Sequence, residues 1–471
     1  MELLFPIFDR KQSVPLYMQF FQFLVGEIIA TRIPKGSRLP SKRKLADLSG
    51  LSLNTVDTAC QQLIAEGYIE SVPRSGMYVI YQSQGLHYVL DSNKRKQMCE
   101  PQQTASAIDF SPGKVDSGNF PYALIKKYFR DLFSKEGSSF FQNGPYQGSV
   151  TLRQQIAVYL YESRGVICDY SQIIIGAGTQ ELVREIIEML DPKLPFIIEN
   201  PGFHRIRQLI SHMKRSLICQ PVEATGISLD FLTKLGEGIV YITPSHQFPL
   251  GTILSISKRM ALINWANESD DRYIIEDDYD GEFRYAGRPI PALQGLDRGK
   301  RVIYMGGFSK SLVPSLRVSY AVLPAQLVAV YRQERSLMKQ TASTLNQELI
   351  AHFMKNGDWQ RHLNRMRVIY KRKRQVLVTT IKHLFADKVL LIGENSGLHL
   401  VLEIYNGMNE ETLISSAKCN GVIVYPTSIY YAMTGQRPNA QVLLGYAGLT
   451  EEEIVTGVQT LHAAWFPGCS K

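Results

Sequence analysis

From Ile108 onward one pattern recurs: a short apolar strand, a polar cluster directly after it, then an amphipathic helix. Ile173-Ile174-Ile175 runs into Gly176-Ala177-Gly178-Thr179-Gln180, and Phe196-Ile197-Ile198 into Glu199-Asn200-Pro201-Gly202-Phe203. Ile239-Val240-Tyr241-Ile242 runs into Thr243-Pro244-Ser245-His246-Gln247, and Tyr273-Ile274-Ile275 into Glu276-Asp277-Asp278-Tyr279-Asp280. Val302-Ile303-Tyr304-Met305 runs into Gly306-Gly307-Phe308-Ser309-Lys310. Strands that do not alternate apolar with polar are buried on both faces, and intervening helices supply the cover. The expectation is an α/β fold built on a mostly parallel sheet. Ligands of such sheets bind beyond the carboxyl ends of the strands, which is where all five clusters fall.

The clusters combine into one chemistry. Gly178, Thr179 and Gln180 open a helix whose free N–H groups and hydroxyl suit a phosphate. Ser309 and Arg317 add a hydroxyl and a guanidinium to the same anion. Lys310, set among apolar strands, is placed to lose its proton and attack an aldehyde. Asp277 at a strand end suits a protonated ring nitrogen, and Tyr279 a phenolic oxygen. Phe203 and Ser245, in two further strand-end clusters, complete the expected cofactor set. A phosphate, an aldehyde, a pyridinium and a phenolic oxygen describe pyridoxal 5'-phosphate. Taken singly, Lys310 reads as a solvated surface cation, Gly178-Thr179 as a turn, and Asp277 and Asp278 as loop acids or magnesium ligands with Glu276 and Asp280. The combination favours the cofactor, and no metal site is expected.

The preceding residues have a different texture. Residues 1–81 carry helical patterns over 16–30, 41–49 and 53–66 and end in a strand at Met77-Tyr78-Val79-Ile80-Tyr81. Residues 82–107 are polar and lose apolar periodicity, a linker signature, so the expected division is 1–81, 82–107 and 108–471, with a smaller subdomain over roughly 330–471. Ser41 is placed to cap the second helix, with Lys42-Arg43-Lys44 in its first turn. Cations there oppose the helix dipole but suit a phosphate. Asn54 and Thr55, at the start of the third helix, face a major groove in a helix-turn-helix layout. Val56, Ala59, Cys60, Leu63 and Ile64 form that helix's apolar face. Arg74 sits at the tip of a following hairpin, within reach of a backbone or minor groove. A protein-interaction domain with a solvated basic face is the bland alternative.

Composition narrows the class. The formal charge is +9, and hydrophobic residues make up 45% of the 471, which argues against disorder, collagen and coiled coil. No apolar run approaches the roughly 20 residues needed to span a bilayer, and the start does not read as a secretory signal. The six cysteines are far apart, against zinc or disulfide frameworks. A cytoplasmic location is expected.

Leu39-Pro40-Ser41-Lys42-Arg43-Lys44-Leu45-Ala46, Asn54-Thr55-Val56 and Leu63-Ile64-Ala65-Glu66-Gly67-Tyr68-Ile69 resemble the winged helix of GntR-type bacterial regulators, with Leu53 replacing a frequent arginine. The clusters at Asp277-Asp278-Tyr279 and from Ser309 to Arg317, with Tyr146-Gln147-Gly148 and Leu152-Arg153, resemble the fold-type I aminotransferases. Joined in this order they resemble the MocR subfamily. The resemblance implies that Lys310 carries the internal aldimine, Asp277 faces the pyridine nitrogen, Tyr279 the ring hydroxyl, and Ser309 and Arg317 the phosphate. It also implies that Arg205 meets an effector carboxylate. Three departures stand out. Phe248-Pro249-Leu250-Gly251 replaces the usual Asn-Pro-x-Gly, Gly307 stands where many relatives have Ser or Thr, and Ile429 stands where a GABA-responsive relative has arginine. The resulting expectation is a homodimeric transcriptional regulator that binds a double-stranded DNA operator and senses an amine, an amino acid or the cofactor itself, without physiological turnover. The alternatives are an aminotransferase with a DNA-binding tether, and a DNA-binding protein whose large module only dimerises.

Overall fold

The computed structural model describes Pro6, Phe8 and residues 14–81, 107–136, 142–285, 291–298, 300–432 and 440–467. The expected linker lies outside them, apart from Ala107. The chain divides into two compact units, Met1–Gln102 and Gln103–Lys471.

In the first unit, α1 (Leu16–Ile29), α2 (Lys42–Ser49) and α3 (Leu53–Ala65) precede an antiparallel hairpin of β1 (Ile69–Val72) and β2 (Gly76–Val79). Two hydroxyls begin the second and third helices: Ser41 accepts from the Lys44 N–H and Ser52 from the Thr55 N–H. Each such cap contributes about 1 kcal/mol. Gly50 closes α2 at φ +66°, a left-handed conformation that glycine adopts without Cβ strain and that lets α3 follow after a short turn. Phe20, Leu24, Leu45, Val56, Cys60, Leu63, Ile69 and Val79 form the core. Ile64, expected on the apolar face of α3, is 36% exposed, because Val56, Ala59, Cys60 and Leu63 already fill the stripe facing α1 and α2. The last strand ends at Val79 rather than Tyr81, since the Ile80 and Tyr81 N–H groups both turn to the Tyr68 carbonyl.

The second unit opens with β3 (Ile108–Asp109). Its large sheet comprises β4 (Ile173–Gly176), β5 (Phe196–Asn200), β6 (Leu217–Glu223), β7 (Gly226–Ile227), β8 (Gly238–Ile242), β9 (Arg272–Asp277), β10 (Val302–Gly307) and β11 (Ser319–Val322). The order is β4-β11-β10-β9-β8-β5-β6-β7. Strands β10, β9, β8, β5 and β6 are parallel neighbours, while β11 runs antiparallel between β10 and β4. Side chains alternate between two covered faces. Ile173, Ile175, Tyr304 and Tyr320 pack with Leu152, Ile156 and Leu349 on one side, and Ile174, Ile198, Ile275 and Ala321 pack with Leu182, Ile186 and Ile206 on the other.

Beyond the 28-residue helix Asp358–Phe385 come β12 (Val389–Ile392), β13 (His399–Ile404), β14 (Val422–Ile423), β15 (Tyr425–Pro426) and β16 (Gln441–Gly445). Strands β12-β13-β16-β15 form an antiparallel sheet, and β14 pairs in parallel with β3. Phe110 joins the core of this smaller sheet, so that core draws on both ends of the unit.

Candidate functional site

A cavity of about 200 Å³ lies at the carboxyl ends of β4, β5, β8, β9 and β10. Ten of the expected residues line it: Gly178, Thr179, Gln180, Phe203, Arg205, Asp277, Tyr279, Ser309, Lys310 and Arg317. They come from separate loops, gathered because each parallel strand delivers its following loop to the same edge. A second cavity of about 340 Å³, walled by Tyr159, Glu162, Arg284 and Arg367, contains none of the expected site residues.

One end of the first cavity suits an anion. Gly178 precedes the helix Thr179–Met189 at φ +102°, and a Cβ there would collide with the Arg317 guanidinium. Only glycine lets that guanidinium close over the helix start, where it donates to the Ala177 carbonyl at 3.0 Å. Helix N–H groups, the Thr179 and Ser309 hydroxyls and Arg317 thus converge on one corner.

The other end carries acid–base groups. Asp277 ends β9 and is 4% exposed. Burial pushes its pKa up to about 7; the Tyr241 hydroxyl, which donates to it, acts against this, while Asp278 and Asp280 add to it. Lys310 donates to the Pro112 carbonyl at 2.5 Å. Desolvation lowers its pKa and the Asp280 carboxylate opposes that shift, so the amine is easier to deprotonate than a surface lysine. The Tyr279 hydroxyl lies 2.9 Å from His246 Nδ1, which is itself 2.9 Å from Asp280 Oδ2.

Phe203 and Tyr279 supply rings to the wall of the space between, and further aromatic residues pack against them. Phe203 and Phe248 stack in parallel with centroids 4.2 Å apart, and Phe248 meets Tyr430 edge-on at 4.8 Å. The Phe248 N–H donates to Thr243 Oγ1, which donates to Glu199. At the position where the resembling enzymes carry an asparagine amide, this chain therefore packs a buried ring against Phe203, which itself lines the cavity. Arg205 lies in the first turn of the helix His204–His212 and reaches the cavity. Arg207, one position past the next residue, donates to the carbonyls of Ile429 and Tyr430, both at 3.0 Å.

Ser245 stands apart from the expected set. Its hydroxyl accepts from Arg164 at 2.6 Å, and it lines a neighbouring small cavity with His246 and Asp280. The turn after β8 carries it toward the buried ion pair of Arg164 with Asp278. The cavity instead includes Tyr241 and Ser319, which sequence reading did not single out. Tyr241 lies inside an apolar strand and Ser319 beyond the Lys310 loop, so no local signal marks either.

On the first unit, Ser41, Arg43, Asn54 and Arg74 are exposed and Thr55 is half-buried. Ser41 and Thr55 serve as cap and capped residue, the Thr55 hydroxyl lying 2.7 Å from Ser52 Oγ. Lys42 pairs with Asp57 of α3, an intramolecular reason for one of the three first-turn cations. Arg74 takes φ +61° at the hairpin tip. Ser41 and Lys42 also line a groove with Arg38, Lys44 and Ser71.

Comparison with known proteins agrees with both units. Residues 16–79 match the bacterial regulatory proteins of the gntR family, and residues 108–461 match aminotransferase class I and II. An uncharacterized HTH-type transcriptional regulator, YdeL of Bacillus subtilis (strain 168), is 42% identical over 460 residues, covering 98% of this chain and 99% of the relative. The probable rhizopine catabolism regulatory protein MocR of Rhizobium meliloti is 33% identical over 481 residues, covering 98% of this chain and 95% of the relative. Among solved structures, LysN, an α-aminoadipate aminotransferase from Thermus thermophilus complexed with N-(5'-phosphopyridoxyl)-L-leucine, superimposes with a TM-score of 0.68 at 25% identity, covering 77% of this chain and 92% of that one. A GntR winged helix followed by an aminotransferase-like domain, with full-length relatives that are HTH-type regulators, makes this chain a member of the MocR subfamily of transcriptional regulators.

Proposed function

We propose that the second unit binds pyridoxal 5'-phosphate at Lys310 and uses it to sense an amine, an amino acid or the cofactor itself, changing the hold of the first unit on operator DNA. The observation that carries this reading is the cavity's donor set: an amine of lowered pKa, a buried carboxyl, an anion corner and an aromatic wall within about 200 Å³. When bound, the cofactor supplies an aldehyde carbon that Lys310 and a competing amine can each capture. Arg317, Thr179, Gln180 and Ser309 hold the phosphate against the helix start that Gly178 leaves open. Asp277 faces the ring nitrogen, Tyr279 the ring hydroxyl, and Phe203 covers a ring face. Arg205 meets the effector's carboxylate.

Phe248 supports sensing over turnover, because the asparagine amide usual in transaminases is absent there and the ring that replaces it stacks on Phe203. A ligand that binds both arrangements of the protein equally shifts nothing, so the effector must favour one. We further propose a homodimer in the cytoplasm, with paired winged helices on paired half-sites. An absorbance titration of the full chain with pyridoxal phosphate and a panel of amines and amino acids, read beside operator binding, tests the reading. An effector should move both signals at one concentration, and a steady release of keto acid would instead favour an enzyme.

DNA contact makes its own prediction. Arg43 is exposed in the first turn of α2 and free of the Asp57 pairing that engages Lys42. Arg43→Ala should weaken operator binding and reduce the log–log salt slope by about 0.9, the value for one lost phosphate contact. An unchanged slope in a salt series would take Arg43 off the interface.

A further inference from the structure

At one level of the large sheet three strands meet in register. Gly176 of β4 lies opposite Ser319 of β11, and Ser319 lies opposite Gly307 of β10. Residues directly opposite one another point to the same face, so Ser319 carries the one side chain of this row. It is 2% exposed and lines the cavity beside Thr179, Ser309 and Arg317. A Cβ built on Gly307 would stand 2.6 Å from Ser319 Oγ, closer than a carbon and an oxygen can pack. Gly307 is not among the glycines in left-handed conformation, so its backbone accepts other residues. A side chain at 307 would have to displace the Ser319 hydroxyl from where it now stands. The two positions are alternative sources for one volume at the anion corner.

We propose that Ser319 supplies, from β11, the phosphate-binding hydroxyl that Gly307 omits from the loop before Lys310, and that it thereby selects phosphorylated over unphosphorylated ligand. This rests on the pyridoxal phosphate reading and deepens it. The serine O–H donates to the ligand phosphate beside the helix start at Thr179 and the Arg317 guanidinium. The missing hydroxyl at 307 is therefore a relocation, and the corner keeps its full donor set.

Equilibrium affinities of the full chain for pyridoxal 5'-phosphate and for pyridoxal test this, in the wild type, Ser319→Ala, Ser319→Gly and the double variant Gly307→Ser/Ser319→Gly. Loss of one hydrogen bond to a charged group predicts a drop of about tenfold or more for the phosphorylated ligand in both single variants. Affinity for pyridoxal should stay within about twofold, because a bond made only to phosphate is absent from that complex. Moving the hydroxyl back to 307 should recover most of the loss. Equal losses for both ligands, no loss for either, or a folded double variant as weak as Ser319→Gly would overturn the assignment. If the double variant does not fold, the Ser319→Ala comparison decides. A wild type that binds neither ligand would sink the cofactor reading, and this assignment with it. A wild type that binds pyridoxal phosphate tightly while Ser319→Ala matches it would sink this assignment alone.

Discussion

Lys310→Ala is expected to remove the absorbance at about 420 nm that marks a lysine-linked pyridoxal cofactor, and with it the response of operator binding to an amine or amino-acid effector. The expectation follows from where the amine sits. Lys310 follows β10, its nitrogen held by the Pro112 carbonyl at 2.5 Å, and burial lowers its pKa. A nucleophilic lysine needs that loss of charge, since the protonated form has no lone pair to offer. Alanine leaves the anion corner and Asp277 intact, so the variant should still bind pyridoxal phosphate, but reversibly. Dialysis should then strip the ligand from the variant and not from the borohydride-treated wild type, whose Lys310 should carry the added mass. Operator binding without effector should persist, because the helix-turn-helix belongs to a separate unit with its own core. An effector response that survives in Lys310→Ala would mean sensing does not pass through this amine.

The fold was legible because its signal is local. Ile173-Ile174-Ile175 and Tyr273-Ile274-Ile275 show no polar alternation, which only a sheet covered on both faces accommodates. The loops after such strands collect at one edge whatever their contents, so Thr179, Asp277 and Lys310 were readable as neighbours although 131 residues separate the first from the last. What sequence did not reveal depends on register or on the direction of a turn. Ser319 faces Gly307 only through the pairing of β10 with β11. Ser245 follows an apolar strand like the others, yet its turn leads to Arg164. Phe248 reads as a lost amide in the sequence, and only the fold stacks it on Phe203. Lys42 reads as one of three free cations until Asp57, on the next helix, is seen to engage it.

Asp277→Asn should cost the cofactor on the order of a hundredfold in affinity, because it removes one partner of a buried charge pair worth about 3 kcal/mol to break. The same substitution has a signature that needs no ligand. Burial raises the Asp277 pKa to about 7, against about 3.9 for an unfolded chain. Between those values the folded protein holds a proton that the unfolded chain has released, so stability falls as pH rises through that window. Its full contribution is present below about pH 4 and is lost as pH passes about 7. Glu199, Glu276 and Glu282 are likewise pushed up to about 7 by burial and slope the same way, while the lowered pKa values of His204, His362 and His399 slope the other way. The readout is therefore the difference between variants: Asp277→Asn should remove one group's share of the downward contribution. A cationic ring nitrogen beside Asp277 favours the carboxylate and lowers its pKa, so saturating pyridoxal phosphate should flatten the wild-type curve in the same sense. Urea unfolding at a series of pH values, with and without the ligand, separates the outcomes. If the ligand flattens the wild-type and Asp277→Asn curves equally, the carboxylate does not face the ring nitrogen and another group must hold it.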